Sequence, residues 1–287
     1  EEASWTHVGV PESLRQARTR LRLVLNRHES GATFAAEAYA KATATPGIAF
    51  VTRGPGATNA SIGLHTAKQD STPLVLFIGH VPSHEMGREA FQEIDYPTAF
   101  GPMTKRVIEV LRPEDVAAAT AEALQLAVAG RPGPVAVVLP EDVTEGEANS
   151  VAIPKQQPRS MLAPNAETVA AAARLIDAAE YPVIIGGEQV NFESAHDALA
   201  RFSEAAGAGV VSAFRRQDIL PHDHAANLGH FGLSLAPYQE KFWADVDLVI
   251  LAGTRPDGAT LQGFSLLRAD QQIIHIYPEG AAFAQTS

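Results

Sequence analysis

In the first half of the chain, short apolar segments of strand length alternate with longer segments in which small apolar residues recur every three or four positions. This alternation predicts strands and helices that follow one another along the chain. Strands are predicted at Leu21–Leu25, Ile48–Thr52, Leu74–Ile78 and Val135–Leu139, and helices at Ala32–Ala42, Asn59–Lys68 and Asp115–Ala129. Because most of these strands are apolar almost throughout, the pattern indicates a parallel sheet covered by helices on both faces.

The same pattern returns after a segment of different character. Between residues 148 and 164, prolines, glutamines and small polar residues predict an extended linker. Beyond it, helices are predicted at Ala166–Ala179 and Glu193–Ala206, and strands at Pro182–Ile185, Val210-Val211, Leu248–Leu251 and Ile273–Ile276. We therefore predict two α/β domains of the doubly wound, Rossmann-like kind, over residues 1–147 and 165–287, joined by the linker 148–164.

The composition narrows the class of protein. The 287 residues carry a net charge of −11 and the pI is about 5.4, which argues against a nucleic-acid partner. No apolar run approaches the roughly 18 residues that span a bilayer, and no secretory signal is visible, so we expect a cytoplasmic protein without a membrane partner. The lack of cysteine excludes disulfides, thiol catalysis and cysteine-ligated metals.

Polar and glycine-rich segments follow the predicted strands, where an open parallel sheet binds its ligands. Glu29 follows the first strand, Gly54-Pro55-Gly56-Ala57-Thr58-Asn59 the second and Gly79-His80-Val81-Pro82 the third, with Phe91-Gln92-Glu93 in the next loop region. Each segment has an ordinary alternative, such as a carboxylate at a helix start, a tight turn or a surface polar residue. The glycine-rich turn lacks the spacing of a phosphate-binding loop or a dinucleotide fingerprint.

Taken together, these segments resemble the pyrimidine-binding domain of thiamine-diphosphate-dependent decarboxylases and synthases, above all the acetolactate synthase group. The resemblance is carried by RHESGATFAAEAYAKAT (27–43), PGIAFVTRGPGATNASIGLHTAKQDSTPLV (46–75), GHVP (79–82), EAFQEID (89–95), TK (104–105) and GRPGPVAVVLPEDV (130–143). The segments occur in the family's order across most of residues 1–147.

The resemblance implies that Glu29 is the catalytic glutamate, which hydrogen-bonds the aminopyrimidine of thiamine diphosphate. A carboxyl group withdrawn from water has a raised pKa, so we expect Glu29 to pass a proton near neutrality. Residues of the glycine-rich turn then contact the pyrimidine, and glycine lets the backbone approach closely. These cofactor-binding residues are Gly54, Pro55, Gly56 and Asn59, together with Pro11, although the family's Gly-Val-Pro-Gly-Glu turn reads Gly9-Val10-Pro11-Glu12 in this chain.

The resemblance also assigns His80, Phe91, Gln92 and Lys105 to the substrate side, with a solvated surface lysine as the alternative for Lys105. The expected activity is that of an acetolactate synthase-like carboligase or decarboxylase acting on a small-molecule 2-oxo acid. His80 stands where acetolactate synthases usually carry glutamine. The activities of a 2-hydroxyacyl-CoA lyase and of an aromatic 2-oxo acid decarboxylase therefore stay open.

The second half resembles the family's central domain more loosely, through residues 163–187 and 244–264. That domain binds FAD in acetolactate synthases. In this chain, Glu188 follows Gly186-Gly187. A small residue at position 188 would let a diphosphate approach the backbone closely, so the glutamate disfavours FAD binding. His222-Asp223-His224 matches a family loop without a metal, and we predict no metal site within the chain. A nucleotide-binding or regulatory module without catalysis is the alternative function.

A complete enzyme of this family has a third domain, in which a Gly-Asp-Gly motif binds Mg²⁺ and the diphosphate of the cofactor. No Gly-Asp-Gly occurs in this chain, so we expect the Mg²⁺ site outside it. The chain is then part of a longer enzyme, the interpretation we favour, or one subunit of a split enzyme, and it is expected to be inactive alone. Active sites of the family form between subunits, which predicts a homodimer or tetramer.

Overall fold

The computed structural model describes residues 23–148 and 163–278. It divides into two compact units, Glu1–Pro158 and Arg159–Ser287. Pro11 and most of the predicted linker 148–164 lie outside the described residues. Both units are α/β structures built on a parallel sheet, which confirms the predicted fold class. Within the two described ranges, no helix is long and apolar enough to cross a membrane.

The first domain contains the strands β1 (Gly47–Val51), β2 (Leu74–His80), β3 (Arg106–Glu109) and β4 (Pro134–Pro140) and the helices α1 (Glu29–Thr43), α2 (Pro55–Gln69), α3 (Tyr96–Phe100), α4 (Val116–Val128) and α5 (Glu141–Glu145). The strands form one parallel sheet in the order β1-β2-β4-β3. Short 3₁₀ turns lie at Ser83–Glu85, Gly101–Met103 and Pro113–Asp115. The apolar pattern does not predict β3, because Arg106 and Glu109 are exposed at its two ends.

Alternate residues of β2 pack against α1 and α2 on one face of this sheet and against α4 on the other. The buried residues are Leu74, Leu76, Ile78, Ala36, Ala57, Ala60 and Leu64 on the first face, and Val75, Phe77, Ala119, Ala123 and Ala127 on the second. Where α1 and α2 touch, a Cβ on Gly63 would lie 2.2 Å from Oγ1 of Thr33, so the contact requires glycine. This close packing holds the N-terminal turns of the two helices side by side.

The strand predicted at Leu21–Leu25 is wrong in its described part. Residues 23–26 form no strand, and the side chains of Val24 and Leu25 are 68% and 69% exposed. An apolar run becomes a strand only where a neighbour satisfies its backbone groups, and among the described residues this segment has no such neighbour. The helix predicted from Ala32 begins earlier, at Glu29, and the imidazole of His28 accepts a hydrogen bond from the N–H of Ser30.

The second domain contains the strands β5 (Pro182–Gly186), β6 (Gly209–Ser212), β7 (Asn227–His230), β8 (Leu248–Ala252) and β9 (Gln272–Ile276) and the helices α6 (Ala166–Ala178), α7 (Glu188–Phe192), α8 (His196–Ala206) and α9 (Pro237–Trp243). Its sheet is parallel, in the order β7-β6-β5-β8-β9. The helix predicted over Glu193–Ala206 starts later, because Ser194 takes a φ of 53° and separates α7 from α8. Alternate residues of the central strands fill an apolar cluster on each face.

Candidate active site

The candidate site lies at the carboxyl edge of the first sheet, where the N-terminal turns of α1 and α2 meet. Glu29 is the first residue of α1, and Asn59 lies near the start of α2. Nδ2 of Asn59 donates a hydrogen bond to Oε2 of Glu29 at 3.1 Å. A Cβ on Gly56 would lie 3.3 Å from the other carboxylate oxygen, Oε1. The structure therefore brings Glu29, Gly56 and Asn59 together, as the sequence predicts for one site.

The protonation of Glu29 differs from the expectation. The pKa of Glu29 is lowered rather than raised, because hydrogen bonds from its own backbone N–H and from the Asn59 amide favour the charged form and outweigh the effect of burial. The proximity of His28 adds to this lowering. The residue is only half-buried, so water still solvates the carboxylate. In this structure, Glu29 is therefore an ionised hydrogen-bond acceptor at neutral pH.

Gly54 determines the shape of the turn between β1 and α2. Its φ of 53° and ψ of −109° lie in a region open almost only to glycine, and a Cβ there would lie 2.5 Å from the carbonyl oxygen of Gln92. The N–H of Gly54 donates to the hydroxyl of Tyr96 at 3.0 Å. Pro55 follows as the first residue of α2, with its ring exposed. The turn is thus held against the loop that carries Gln92.

His80 ends β2 within the same cluster. Its side chain is 2% exposed, and its ring lies edge-on to that of Tyr96, with 4.8 Å between centroids. Burial lowers the pKa of His80, and the effect is opposed by the charge of Glu93 and reinforced by that of Arg53. The imidazole is therefore neutral at pH 7. Within the described chain, Nδ1 of His80 and Nε of Arg53 are buried without a hydrogen-bond partner.

Glu93 organises the loop that carries Phe91 and Gln92. Its carboxylate accepts hydrogen bonds from the N–H groups of Gly87 at 2.5 Å and Ala90 at 2.9 Å, and these bonds lower the pKa of Glu93. Gln92 has a φ of 64°, which is uncommon for a residue with a side chain. The Phe91 side chain is 77% exposed. The loop therefore has a defined backbone and presents an aromatic ring to solvent.

Sequence reasoning assigned no role to Arg53, Glu93 or Tyr96. Arg53 directly precedes the glycine-rich turn, and Glu93 directly follows Phe91-Gln92, so both lie inside the segments that carried the resemblance. Their position inside those segments was the available signal. Tyr96 directly follows the segment 89–95, but the sequence does not indicate its contact with Gly54, because the two residues are 42 positions apart.

Lys105 lies at the opposite edge of the sheet. Its N–H donates to the carbonyl of Pro134, the first residue of β4. Its ammonium donates to the carbonyls of Ala129 at 2.5 Å and Arg131 at 2.8 Å, just past the end of α4. A seven-residue strand such as β4 is about 20 Å long, so Lys105 is far from the carboxyl edge of its own domain. The structure therefore does not bring Lys105 together with Glu29 and Asn59, its contacts are those of a residue that stabilises the fold, and its substrate-side role stays a prediction.

The carboxyl edge of the second sheet is arranged differently. The N–H of Gly187 donates to the carbonyl of Ala252 at 3.1 Å, and the N–H of Gln189 donates to that of Gly253 at 2.9 Å. A Cβ on Gly187 would lie 2.4 Å from Cβ of Thr254, so the glycine there makes room for protein atoms. The turn after β5 thus directs these two N–H groups to the strand beside it.

The Glu188 side chain at this edge is also bound within the protein, and we call the edge closed for that reason. Its carboxylate accepts a hydrogen bond from the hydroxyl of Tyr277 at 2.7 Å, and Nε of Arg255 lies 3.8 Å away. The side chains of Glu188 and Arg255 are only 10% and 12% exposed. A buried carboxylate therefore occupies the turn at which a doubly wound domain would approach a diphosphate.

The tertiary structure places His224 near Glu204, with Nε2 of the histidine 3.8 Å from a carboxylate oxygen. Across residues 23–148 and 163–278, no group of three or more histidine, aspartate and glutamate side chains is arranged to hold a metal ion.

Comparison with known proteins identifies both halves of the chain. Residues 6–99 match the family model described as the thiamine pyrophosphate enzyme, N-terminal TPP binding domain, and residues 169–287 match that of the central domain. Thiamine pyrophosphate is another name for thiamine diphosphate. Among solved structures, a protein described as a thiamin diphosphate-dependent enzyme isolated from Mycobacterium smegmatis is 26% identical, with a TM-score of 0.76 over 91% of this chain and 51% of that one.

Curated relatives agree with these matches. The acetolactate synthase large subunit of Corynebacterium glutamicum is 37% identical over 90% of this chain, and the chloroplastic acetolactate synthase of Arabidopsis thaliana is 34% identical over 93%. The chain spans 42% and 41% of the length of these two relatives. Family models cover most of the chain in the family's domain order, and the described residues among those predicted to hold the aminopyrimidine lie at one edge of the first sheet. The chain therefore belongs to the thiamine pyrophosphate enzyme family, of which it contains the N-terminal and central domains.

Proposed function

We propose that this chain forms the pyrimidine-binding side of a thiamine-diphosphate site, and that the complete protein is an acetolactate synthase-like carboligase or decarboxylase of a 2-oxo acid. The observation that carries the proposal is the Glu29–Asn59 pair beside the Gly54–Gly56 turn. The names of the curated relatives support the same activity class.

The residues at this edge fit an aminopyrimidine. The Glu29 carboxylate offers an acceptor to a ring nitrogen that carries a proton, and the glycines of the turn let a flat ring approach the backbone. The exposed ring of Pro55 provides an apolar surface beside them. When bound, thiamine diphosphate supplies the electron sink for making or breaking a bond next to a carbonyl carbon.

Asn59 positions Glu29 for proton transfer. Its amide holds Oε2, and Oε1 faces the turn at Gly56. A bound aromatic ring removes water from the carboxylate, and desolvation raises the pKa of a carboxyl group. Covering the site therefore moves the pKa of Glu29 from its lowered value towards neutrality. A carboxyl group in that range can take and return a proton during the reaction.

The loop that Glu93 holds is proposed to form the substrate side, with Phe91 and Gln92 facing the 2-oxo acid. His80 contributes a neutral imidazole at the end of β2. An aromatic 2-oxo acid or a 2-hydroxyacyl-CoA is the alternative substrate class, and the exposed Phe91 ring would stack on the former.

The remaining components are proposed to lie in the part of the relatives that this chain does not span. We place there the Mg²⁺ ion and the groups that bind the diphosphate, and we propose a homodimer or tetramer for the complete protein. FAD is not part of the proposal. The N–H groups of Gly187 and Gln189 are used within the protein, and the Glu188 carboxylate would repel a diphosphate.

The proposal is tested by Glu29→Gln in the complete protein that carries this chain. The substitution keeps the size of the side chain and removes its ability to transfer a proton. We expect exchange of the cofactor's C2 proton, followed by NMR, to slow by about 100-fold or more. Glu167→Gln is the matched control, because Glu167 also lies in the first turn of a helix but in the second domain. Equal exchange rates in the two variants would refute the assignment of Glu29.

A further inference from the structure

Arg53 and His80 lie at the ends of neighbouring strands, outside the Glu29–Asn59 pair. Val51, the last residue of β1, is paired with Ile78 of β2, and Arg53 lies two residues beyond it, next to Gly54, whose N–H donates to the Tyr96 hydroxyl. Val51 and Ile78 both pack in the cluster that contains Tyr96. The ring of His80, the last residue of β2, lies edge-on to that of Tyr96, with 4.8 Å between centroids. Arg53 and His80 are thus placed together beside Tyr96.

The electrostatics agree with this placement. The charge of Arg53 lowers the pKa of both His80 and Tyr96, a direction that agrees with a guanidinium near the two rings. The charge of Glu93 raises the pKa of His80, opposite to the effect of Arg53. The carboxylate oxygens of Glu93 accept hydrogen bonds from the N–H groups of Gly87 and Ala90. Among the described residues, no carboxylate forms an ion pair with Arg53.

Both side chains carry polar atoms that the described part of the protein leaves without a partner. Nε of Arg53 and Nδ1 of His80 are buried and make no hydrogen bond within that part. Buried polar groups are nearly always satisfied, and each one left over costs free energy. The His80 side chain is 2% exposed, whereas Arg53 is half-buried and so can be reached from solvent. A buried imidazole nitrogen without a partner, beside a guanidinium that solvent can reach, is suited to an anion.

We propose that Arg53 and His80 form an anion subsite that binds the carboxylate of the 2-oxo acid. The identity of this ligand rests on the proposed function. A guanidinium binds a carboxylate through two parallel N–H···O bonds, a geometry that lysine does not reproduce. The neutral imidazole, in the tautomer with the proton on Nδ1, donates a further hydrogen bond to the same group. The subsite lies beside the turn at Gly54, and the N–H of Gly54 already donates a hydrogen bond to the Tyr96 hydroxyl.

The test uses the full 287-residue chain and two small probes, one with a charged carboxylate and one in which methylation removes that charge. Pyruvate and its methyl ester are titrated while NMR follows the Arg53 Nε–H and His80 ring signals. We expect saturable shifts with pyruvate and none with the ester. Arg53→Met should weaken pyruvate binding by about tenfold or more, and Arg53→Lys should weaken it less. Arg112→Met, at an arginine whose side chain is 70% exposed, is the control and should bind like the wild type.

Unfolding curves establish that each variant is folded, and Arg53→Lys retains the charge if the methionine variant does not fold. Equal shifts with the ester would overturn the subsite, as would pyruvate binding that neither Arg53 variant weakens. Pyruvate that produces no saturable shift would overturn it as well. The measurement involves neither the cofactor nor turnover. A failure here is therefore distinguishable from a failure of the Glu29 assignment, which is judged by C2-proton exchange.

Discussion

The two domains are both α/β structures on a parallel sheet, but they differ at the carboxyl edge of that sheet. In the second domain, the N–H groups of Gly187 and Gln189 donate to the carbonyls of Ala252 and Gly253 at the end of β8, and the Tyr277 hydroxyl donates to the Glu188 carboxylate. In the first domain, the edge keeps a half-buried carboxylate and two buried nitrogen atoms without partners in the described chain. A doubly wound sheet therefore does not create a ligand site by itself. A site requires polar groups that remain after the strand ends have been satisfied.

Gly54→Ala should cause the largest loss of stability, because the open edge, the carboxyl edge of the first sheet, depends on the backbone of the turn at Gly54. Alanine at a φ of 53° and a ψ of −109° is strained, and its Cβ would meet the Gln92 carbonyl at 2.5 Å. We expect the free energy of unfolding to fall by about 3 kcal/mol, measured by urea titration.

Gly101→Ala is the matched control in the same domain. Its φ is −49°, and a Cβ there meets no atom within 4 Å, so the free energy of unfolding should change by no more than about 1 kcal/mol. If the two variants lose equal stability, the turn is not under the constraint that its geometry implies.

Tyr277→Phe tests the closed edge and should have an intermediate effect. The substitution removes the hydroxyl that donates to Glu188 at 2.7 Å and leaves a buried carboxylate with one partner fewer. We expect a loss of about 1–2 kcal/mol in the free energy of unfolding. Tyr181→Phe, at a 57% exposed tyrosine of the same domain, should change it by less than about 0.5 kcal/mol. Equal values for the two tyrosine variants would show that the Glu188 contact does not close this edge.

The sequence alone predicts the buried part of the first sheet well. Leu74–Ile78 and Val135–Leu139 are apolar throughout, and β2 and β4 extend them by at most two residues. Leu21–Leu25 has a similar pattern and forms no strand in its described part, because pairing depends on a neighbour that a local pattern does not specify. Apolar periodicity thus reports burial more directly than it reports strand pairing.

The candidate site shows the same limit. Resemblance led to Glu29 and Asn59, which hydrogen-bond each other across 30 positions of the chain. It also led to Lys105, whose place at the amino edge is evident only from the register of β3 and β4. The direction of the pKa shift of Glu29 needed the structure too, because it depends on which donors reach the carboxylate. Residue type indicates chemistry, whereas tertiary contacts decide which residues share a site.

Phe91→Ala should have the smallest effect on stability and thereby separates ligand contact from folding at the open edge. The Phe91 side chain is 77% exposed, so its removal should change the free energy of unfolding by less than about 0.5 kcal/mol. Leu111→Ala, at a 58% exposed residue of the same domain, should behave alike in this measurement. In the complete protein, however, only Phe91→Ala should lower kcat/KM for the 2-oxo acid, by about tenfold, because burying an aromatic ring against a ligand contributes more than 1 kcal/mol. Equal kcat/KM values for the two variants would mean that the loop held by Glu93 does not face the substrate.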